Sequence, residues 1–163
     1  MIVDLHELTE LSGRIEGDVD TNIDDPVGGE LVVPCRVVLD YRRSQETFHF
    51  HGLVEGDMGT VCHRCLEPVT VRVSGEFDLL VRRGEHDGET GDDVITLASH
   101  EHLVSLEPVV HETVVVNAPM IVACRDDCRG LCPTCGANLN AGSCACGGNE
   151  DTRWDSLRGM KLD

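Results

Sequence analysis

The chain has 163 residues, a formal net charge of −17, nine cysteines and only 3% aromatic residues. This length suits one domain with an appendage, and the shortage of aromatic residues predicts a core of Val, Leu and Ile. The strong negative charge argues against non-specific binding to a phosphate backbone or an anionic membrane.

The acidic residues are distributed unevenly. Residues 1–30 hold nine of them against Arg14 alone, and residues 84–124 hold eight with no Lys or Arg. Residues 31–83 balance, with seven of each sign. Acidic flanks of this kind favour solubility or a basic protein partner.

The beginning of the chain also bears on its compartment. MIVDLHELTELSG has neither the basic segment nor the apolar stretch of a secretory signal. No apolar run approaches the length of a membrane span. The sequence therefore predicts a cytoplasmic protein with reduced thiols, in which clustered cysteines indicate metal ligands more strongly than disulfides.

The first thirty residues predict one strand followed by a loop. Apolar residues between positions 2 and 11 have a spacing that allows a first strand and a short helical turn. Residues 17–30 are acidic and contain Pro26 and two consecutive glycines, which indicates a turn-rich loop.

The central part of the chain predicts the β core. Its segments are alternating or rich in valine, which is typical of strands in an antiparallel meander. These segments are 30–43, 46–56, 58–65 and 67–83. Pro34 would bend the first of them or place it at an edge. The glycines and aspartate within 56–59 favour a hairpin turn there.

Residues 84–120 predict a loop, a strand and a helix. The acidic, glycine-rich segment 84–93 indicates an exposed loop, and 93–97 indicates a short strand. Segment 105–120 is ambiguous, because its three consecutive valines favour a strand. We favour a helix, since Pro108 suits a first turn, the apolar residues follow helical spacing, and Pro119 marks an end.

Together these elements predict an α+β fold, mainly an antiparallel β meander with one or two short helices. We divide it into a β-rich core at 1–120 and a zinc-ribbon-like, cysteine-rich tail at 121–163. The tail would close with a terminal helix over 150–160, with Asp151 as its N-cap and Trp154 docked on the body.

The cysteines carry the strongest signal for a function. Six of the nine lie between residues 124 and 146, and Cys62 and Cys65 form a further pair with C-x2-C spacing. This spacing aims two sulfurs at one ion, and four cysteines complete a tetrahedral zinc site. Gly136 follows the later C-x2-C pair and allows a positive φ, which turns backbone N–H groups towards the sulfurs.

Eight cysteines suffice for two structural zinc sites. The sequence alone does not decide whether the chain binds one zinc ion or two. In the favoured partition one site would tie the core to the tail and the other would lie within the tail. These sets are Cys62, Cys65, Cys124 and Cys128, and Cys132, Cys135, Cys144 and Cys146. A rival partition forms a single site from Cys124, Cys128, Cys132 and Cys135. Cys35 is left over as a small core residue.

The sequence shows no catalytic apparatus. It has no nucleophile elbow, no phosphate-binding glycine loop and no H-E-x-x-H motif. Closed four-cysteine sites leave no position for a substrate. We therefore expect a protein that is not an enzyme, with histidines that are exposed or hydrogen-bonded and no small-molecule substrate.

Four motifs together resemble the YceD family, also called large ribosomal RNA subunit accumulation protein. They are CHRCLEPV at 62–69, LCPTCGANLN at 131–140, CAC at 144–146 and DTRWDSL at 151–157. The resemblance covers roughly residues 30–160 and departs at 151–153, where Asp-Pro-Arg is usual. It implies a cytoplasmic factor needed for 23S ribosomal RNA to accumulate. Family members without the CPxCG part keep two pairs of ligands, which implies that Cys62, Cys65, Cys124 and Cys128 form the older site.

The resulting prediction is a non-enzymatic factor in large-subunit biogenesis. A metal-stabilised surface would bind ribosomal RNA or a basic ribosomal protein of the precursor. Arg64, Arg125 and Arg129 are the candidates for RNA contact, and ordinary solvated surface is an equally good interpretation of them. Two alternatives stay open, a zinc- or redox-sensing dithiol protein and a zinc-ribbon adaptor for a non-ribosomal protein.

Overall fold

The computed structural model describes residues 1–24, 29–84, 91 and 93–146. Within them the elements are β1 (Ile2–Asp4), β2 (Ser12–Asp24), β3 (Glu30–Ser44), β4 (Thr47–Val61), β5 (Pro68–Arg83), β6 (Val94–Leu97), β7 (Leu103–Ser105) and α1 (Glu107–Asn117). The fold is mostly β. The predicted meander is confirmed, and the α+β label overstates the contribution of the one short helix in the described residues.

The main sheet has the strand order β2-β3-β4-β5-β6. Its first four strands form the antiparallel meander, and β6 pairs with β5 in parallel. Pro34 of β3 lies opposite Asp20 of β2 and beyond the register with β4, so its missing N–H interrupts no bond on that side. The predicted strand at 93–97 is confirmed, although its parallel pairing was not predicted.

The predicted loop at 17–30 is wrong over its first half, because residues 12–24 form strand β2. Val19, Thr21 and Ile23 are buried and alternate with exposed polar residues, most of them aspartates. This alternation with a period of two is the signature of a half-buried strand. The acidic composition of the segment led us to predict a loop instead of this strand.

The predicted hairpin turn at 56–59 is also wrong, since β4 runs without interruption through these residues. Gly56 pairs with Val73 and Gly59 pairs with Thr70 in the β4–β5 register. The register continues to Val61, so the turn of this hairpin falls on the next residues, 62–67. A hairpin of fifteen residue pairs therefore ends in the first C-x2-C sequence.

Helix α1 covers the buried face of the sheet. Its residues Val110, Thr113 and Val114 are buried, as the helical spacing predicts. Pro108 lies in the first turn, and Ala118 is extended ahead of Pro119, so the predicted start and end are confirmed. The core holds the expected valines and leucines together with the aromatic residues Tyr41, Phe48, Phe50 and Phe77.

A second, two-stranded sheet joins β1 to β7. The first strand is therefore confirmed, whereas β7 was not predicted. The proposed terminal helix at 150–160 and residues 85–90 and 92 of the acidic loop lie outside the described residues. Among the residues described, no helix has the length and apolarity needed to cross a bilayer.

Candidate metal centres

The first C-x2-C sequence forms the turn of the β4–β5 hairpin. Within this first loop (residues 62–67), the N–H of Leu66 donates to the carbonyl of Cys62 at 2.8 Å. The N–H of Cys62 donates to the carbonyl of Glu67 at 2.8 Å. The N–H of Arg64 points at the sulfur of Cys62 at 3.4 Å. The turn is thus closed by backbone hydrogen bonds and directs an N–H group at a sulfur.

The second C-x2-C sequence repeats this geometry in a second loop (residues 132–137). Gly136 N–H donates to the Cys132 carbonyl at 2.9 Å, and Cys132 N–H donates to the Ala137 carbonyl at 2.8 Å. Thr134 N–H lies 3.4 Å from the Cys132 sulfur. Gly136 has φ 71°, as predicted, and Leu66 occupies the same position of the first loop with φ 61°.

The first loop contributes two sulfurs to a group of four, which we call the first cluster. Its members are Cys62, Cys65, Cys124 and Cys128. The sulfurs of Cys62 and Cys128 lie 3.8 Å apart, and those of Cys65 and Cys124 lie 3.6 Å apart. Four sulfurs at about 2.3 Å from a central zinc ion would be separated by about 3.8 Å. The first cluster therefore fits a tetrahedral zinc ion.

The second cluster consists of Cys132, Cys135, Cys144 and Cys146. Its four sulfurs lie within 4.8 Å of one another, and Cys135 is exposed whereas Cys132 is buried. The structure thus gathers the eight sulfurs into the two sets of the favoured partition. The four members of the rival single site are divided between the two clusters. Cys35, the remaining cysteine, is buried in the core.

The thiols of the first cluster differ strongly in acidity. Burial opposes ionisation of Cys62, but N–H groups of Cys124, Cys65 and Arg64 outweigh it and lower the Cys62 pKa to about 6. Burial and the neighbouring sulfurs raise the pKa of Cys124 to about 12. The side-chain amide of Asn140 lowers the pKa of Cys128. Cys62 and Cys128 therefore ionise more readily than ordinary thiols, and a bound cation would be needed to ionise all four.

The second cluster also contains thiols with lowered and with raised pKa values. N–H groups of Cys135 and Thr134 lower the pKa of Cys132 to about 6. The sulfur of Cys135, with burial, raises the pKa of Cys146 to about 11. In both clusters the first cysteine of the C-x2-C loop has a pKa of about 6, because its sulfur receives backbone N–H groups that include those of the turn.

Several contacts join the two loops, and the sequence reasoning missed the residues that make them. Leu131 N–H donates to the Arg64 carbonyl at 3.0 Å. Gly130 has φ 71°, and a Cβ at this position would lie 3.0 Å from the same carbonyl. The side chain of Asn138 donates to the carboxylate of Glu67 at 2.8 Å. The sequence motifs did not predict these contacts. The two asparagines in LCPTCGANLN were the one available signal.

His63 attaches the segment after α1 to the first loop. Its backbone N–H donates to the Val122 carbonyl at 2.9 Å, and its Nδ1 accepts the Val122 N–H at 3.1 Å. The expectation of a hydrogen-bonded histidine is confirmed at this position. This pairing lies two residues before Cys124 and therefore helps to bring Cys124 to the first cluster.

The three candidate arginines occupy different environments. The Arg64 guanidinium donates to the carbonyls of Asp126 and Cys128 at 3.3 and 3.2 Å. Arg125 forms an ion pair with Asp127 at 3.3 Å. Arg129 is exposed, and its guanidinium has no partner among the described residues. Two of the three candidates are thus engaged by the protein itself.

These observations define a class, a mostly β protein whose core meets its C-terminal part at one four-cysteine cluster and whose C-terminal part contains a second. A family model described as "Large ribosomal RNA subunit accumulation protein YceD" matches residues 50–161. The match covers more than half of the chain and includes all eight clustered cysteines. The chain belongs to the YceD family.

Curated proteins with similar sequences include two from plants. A Zea mays protein named large ribosomal RNA subunit accumulation protein YCED homolog 1, chloroplastic, is 24% identical over 151 residues, 75% of this chain and 52% of its own length. The Arabidopsis thaliana protein of the same name is 24% identical over 144 residues, 72% of this chain and 45% of its length.

A third relative is an uncharacterised protein of Mycobacterium tuberculosis. It is 35% identical over 80 residues, 48% of this chain and 38% of its own length. The chain thus spans about half the length, or less, of the curated relatives it matches. No solved structure matches the chain significantly.

Proposed function

We propose that the chain supports accumulation of the large ribosomal RNA subunit by binding a component of its precursor, without catalysing a reaction. Membership of the YceD family and the names of the plant relatives support the ribosomal role. The observation that carries the binding mechanism is the pair of four-sulfur clusters. Each has a full set of four protein ligands, which leaves no coordination position for a substrate.

Zinc is the ion that this donor set favours, since tetrahedral four-thiolate sites are typical of structural zinc. Each cluster would hold one Zn²⁺, which would supply cross-linking rather than reactivity. In the first cluster it would fix the β4–β5 turn against the chain that follows α1. In the second it would close residues 132–146 into a rigid loop.

A basic ribosomal protein is the partner that the charge distribution favours. The net charge of −17 repels a phosphate backbone. Arg64 and Arg125 are already engaged by carbonyls and by Asp127, which leaves Arg129 as the arginine best placed for an RNA contact. We further propose that the protein acts in the cytoplasm, whereas the plant relatives are named as chloroplastic.

Depletion and complementation in the native host test the ribosomal role. Deleting the gene is expected to lower the ratio of 23S to 16S ribosomal RNA, and the unaltered chain should restore it. The protein should co-sediment with large-subunit precursors on a sucrose gradient. An unchanged ratio, with all of the protein at the top of the gradient, contradicts the proposal and favours the adaptor alternative.

A matched pair of variants separates binding from the metal. Arg129→Ala should leave metal content unchanged, and it should weaken binding only if RNA is the partner. The double variant Cys62→Ser/Cys65→Ser should lose both the metal of the first cluster and complementation. Full complementation by this double variant would show that the metal-fixed surface is not the functional one.

A further inference from the structure

Asp4, His6 and His102 come together outside the cysteine clusters, at one end of the β1–β7 sheet. Asp4 pairs with Leu103 in the antiparallel register, and the next N–H, of Leu5, donates to the His102 carbonyl at 2.8 Å. One ligand atom from each of the three side chains lies within 4.8 Å of the other two. Backbone pairing between the two strands therefore holds the group together.

Local contacts orient all three side chains. The Asp4 carboxylate accepts the backbone N–H of His6 at 2.9 Å, which fixes it beside that residue. The imidazole rings of His6 and His102 are stacked, with centroids 4.4 Å apart and planes inclined by 13°. An imidazole nitrogen binds a metal in the plane of its own ring, so one of the two stacked rings would turn out of the stack when both bind the same ion.

His102 has an unsatisfied polar atom. Its Nδ1 is buried and has no hydrogen-bond partner within the described part of the chain. A buried nitrogen without a partner costs free energy, and coordination to a cation would remove that cost.

We propose that Asp4, His6 and His102 form a third metal site, which takes a single divalent transition-metal ion. Two imidazoles and one carboxylate suit ions of intermediate softness such as Zn²⁺, and they discriminate against Mg²⁺ and Ca²⁺, which prefer oxygen ligands. Three protein ligands leave at least one coordination position open to water or to a group from a partner. The site is independent of the ribosomal proposal.

The site would clamp the first strand of the protein to β7. Asp4 is the last residue of β1, His6 lies two residues after it, and His102 directly precedes β7, so one ion would bridge the two segments. β1 has only three residues, which pair with β7, and Val3 at its centre packs in the core. Binding to the folded state alone would therefore stabilise this edge of the structure.

Stoichiometry distinguishes this site from the cysteine clusters. Protein without an affinity tag is saturated with Zn²⁺, dialysed against a low fixed Zn²⁺ concentration, and analysed for metal per chain. His6→Ala and His102→Gln should each retain one equivalent fewer than the parent. His100→Ala, which removes an exposed histidine two residues from His102, should retain as much as the parent.

A second readout guards against loss of folding. Excess Zn²⁺ should raise the melting temperature of the parent and of His100→Ala, and the increase should be absent from His6→Ala. His6 is exposed, so its replacement should leave the melting temperature without added metal unchanged. Equal metal content in the parent and both site variants, or an equal loss in His100→Ala, overturns the proposal.

Discussion

The side-chain amide of Asn140 donates to the sulfur of Cys128 at 3.4 Å. Asn140 belongs to the loop between Cys135 and Cys144 in the second cluster, whereas Cys128 is a ligand candidate of the first. The other end of the amide accepts the N–H of Arg129 at 2.8 Å. One side chain thus joins the two clusters and stabilises the charged form of a sulfur.

Replacing Asn140 should make the metal of the first cluster easier to displace by acid. The amide lowers the pKa of Cys128, so Asn140→Ala should raise it. Protons compete with metal for thiolates, and a higher pKa means that metal is lost at a higher pH as the pH falls. An acid titration with a chromophoric zinc chelator measures the midpoint.

Asn138→Ala is the matched control for that titration. Asn138 lies in the same loop, donates to Glu67 and accepts the backbone N–H of Asn140, but among the described residues it has no hydrogen bond to a sulfur. Its replacement should leave the midpoint of the first cluster close to that of the parent. Equal shifts in the two variants would assign the effect to loop packing rather than to the bond with Cys128.

Leu66→Gly should stabilise the protein. Leu66 has φ 61°, a left-handed conformation that Gly136 adopts without strain at the equivalent position of the second loop. Relief of strain, less the entropy cost of glycine, should raise the free energy of unfolding by about 0.5–1 kcal/mol. Chemical denaturation of the metal-loaded protein measures it. Leu66→Ala keeps the strain and should show no gain, and a gain of equal size would point to the side chain.

Gly130→Ala should destabilise the junction between the loops. The new Cβ would lie 3.0 Å from the Arg64 carbonyl, in a backbone conformation with φ 71°. We expect a loss of about 1–2 kcal/mol, measured by thermal or chemical unfolding. Gly142→Ala is the control, because nothing lies within 4 Å of its Cβ. A loss of less than about 0.5 kcal/mol at Gly130 contradicts the packing described.

Replacing Arg64 should destabilise the protein more than replacing Arg129. Arg64→Ala removes two hydrogen bonds to carbonyls at the edge of the first cluster and should lower the free energy of unfolding by about 1 kcal/mol. Arg129→Ala should change it by less than about 0.5 kcal/mol, since its guanidinium is exposed. Equal losses in both variants would show that the bonds of Arg64 contribute nothing specific.

Local sequence patterns predicted the parts of this protein that depend on local chemistry. The two C-x2-C pairs predicted the two loops, and the glycine at position 136 predicted a positive φ there. The helical spacing of apolar residues around Val110 predicted α1. The favoured grouping of the eight sulfurs matches the geometry, because spacing and economy of ligands left few arrangements. Zinc binding itself stays a prediction.

Features set by pairing between distant segments were not predictable in this way. The acidic composition of residues 17–24 suggested a loop, but their pairing with β3 makes them part of strand β2. Gly56 and Gly59 suggested a turn, but the long partner strand β5 keeps β4 extended through them. The roles of Gly130 and Asn140 arise only when the two loops meet, and no single-sequence pattern encodes that contact.

Zinc content per chain, measured on the purified protein and on two double variants, tests the central claim most directly. We predict two tightly held ions in the parent, and one in each of Cys62→Ser/Cys65→Ser and Cys144→Ser/Cys146→Ser. A chelator wash strong enough to strip a three-ligand site, applied equally to all samples, keeps the count to the cysteine clusters. A single ion that is insensitive to loss of Cys62 and Cys65 would contradict the account, and it would leave those two thiols free for redox chemistry.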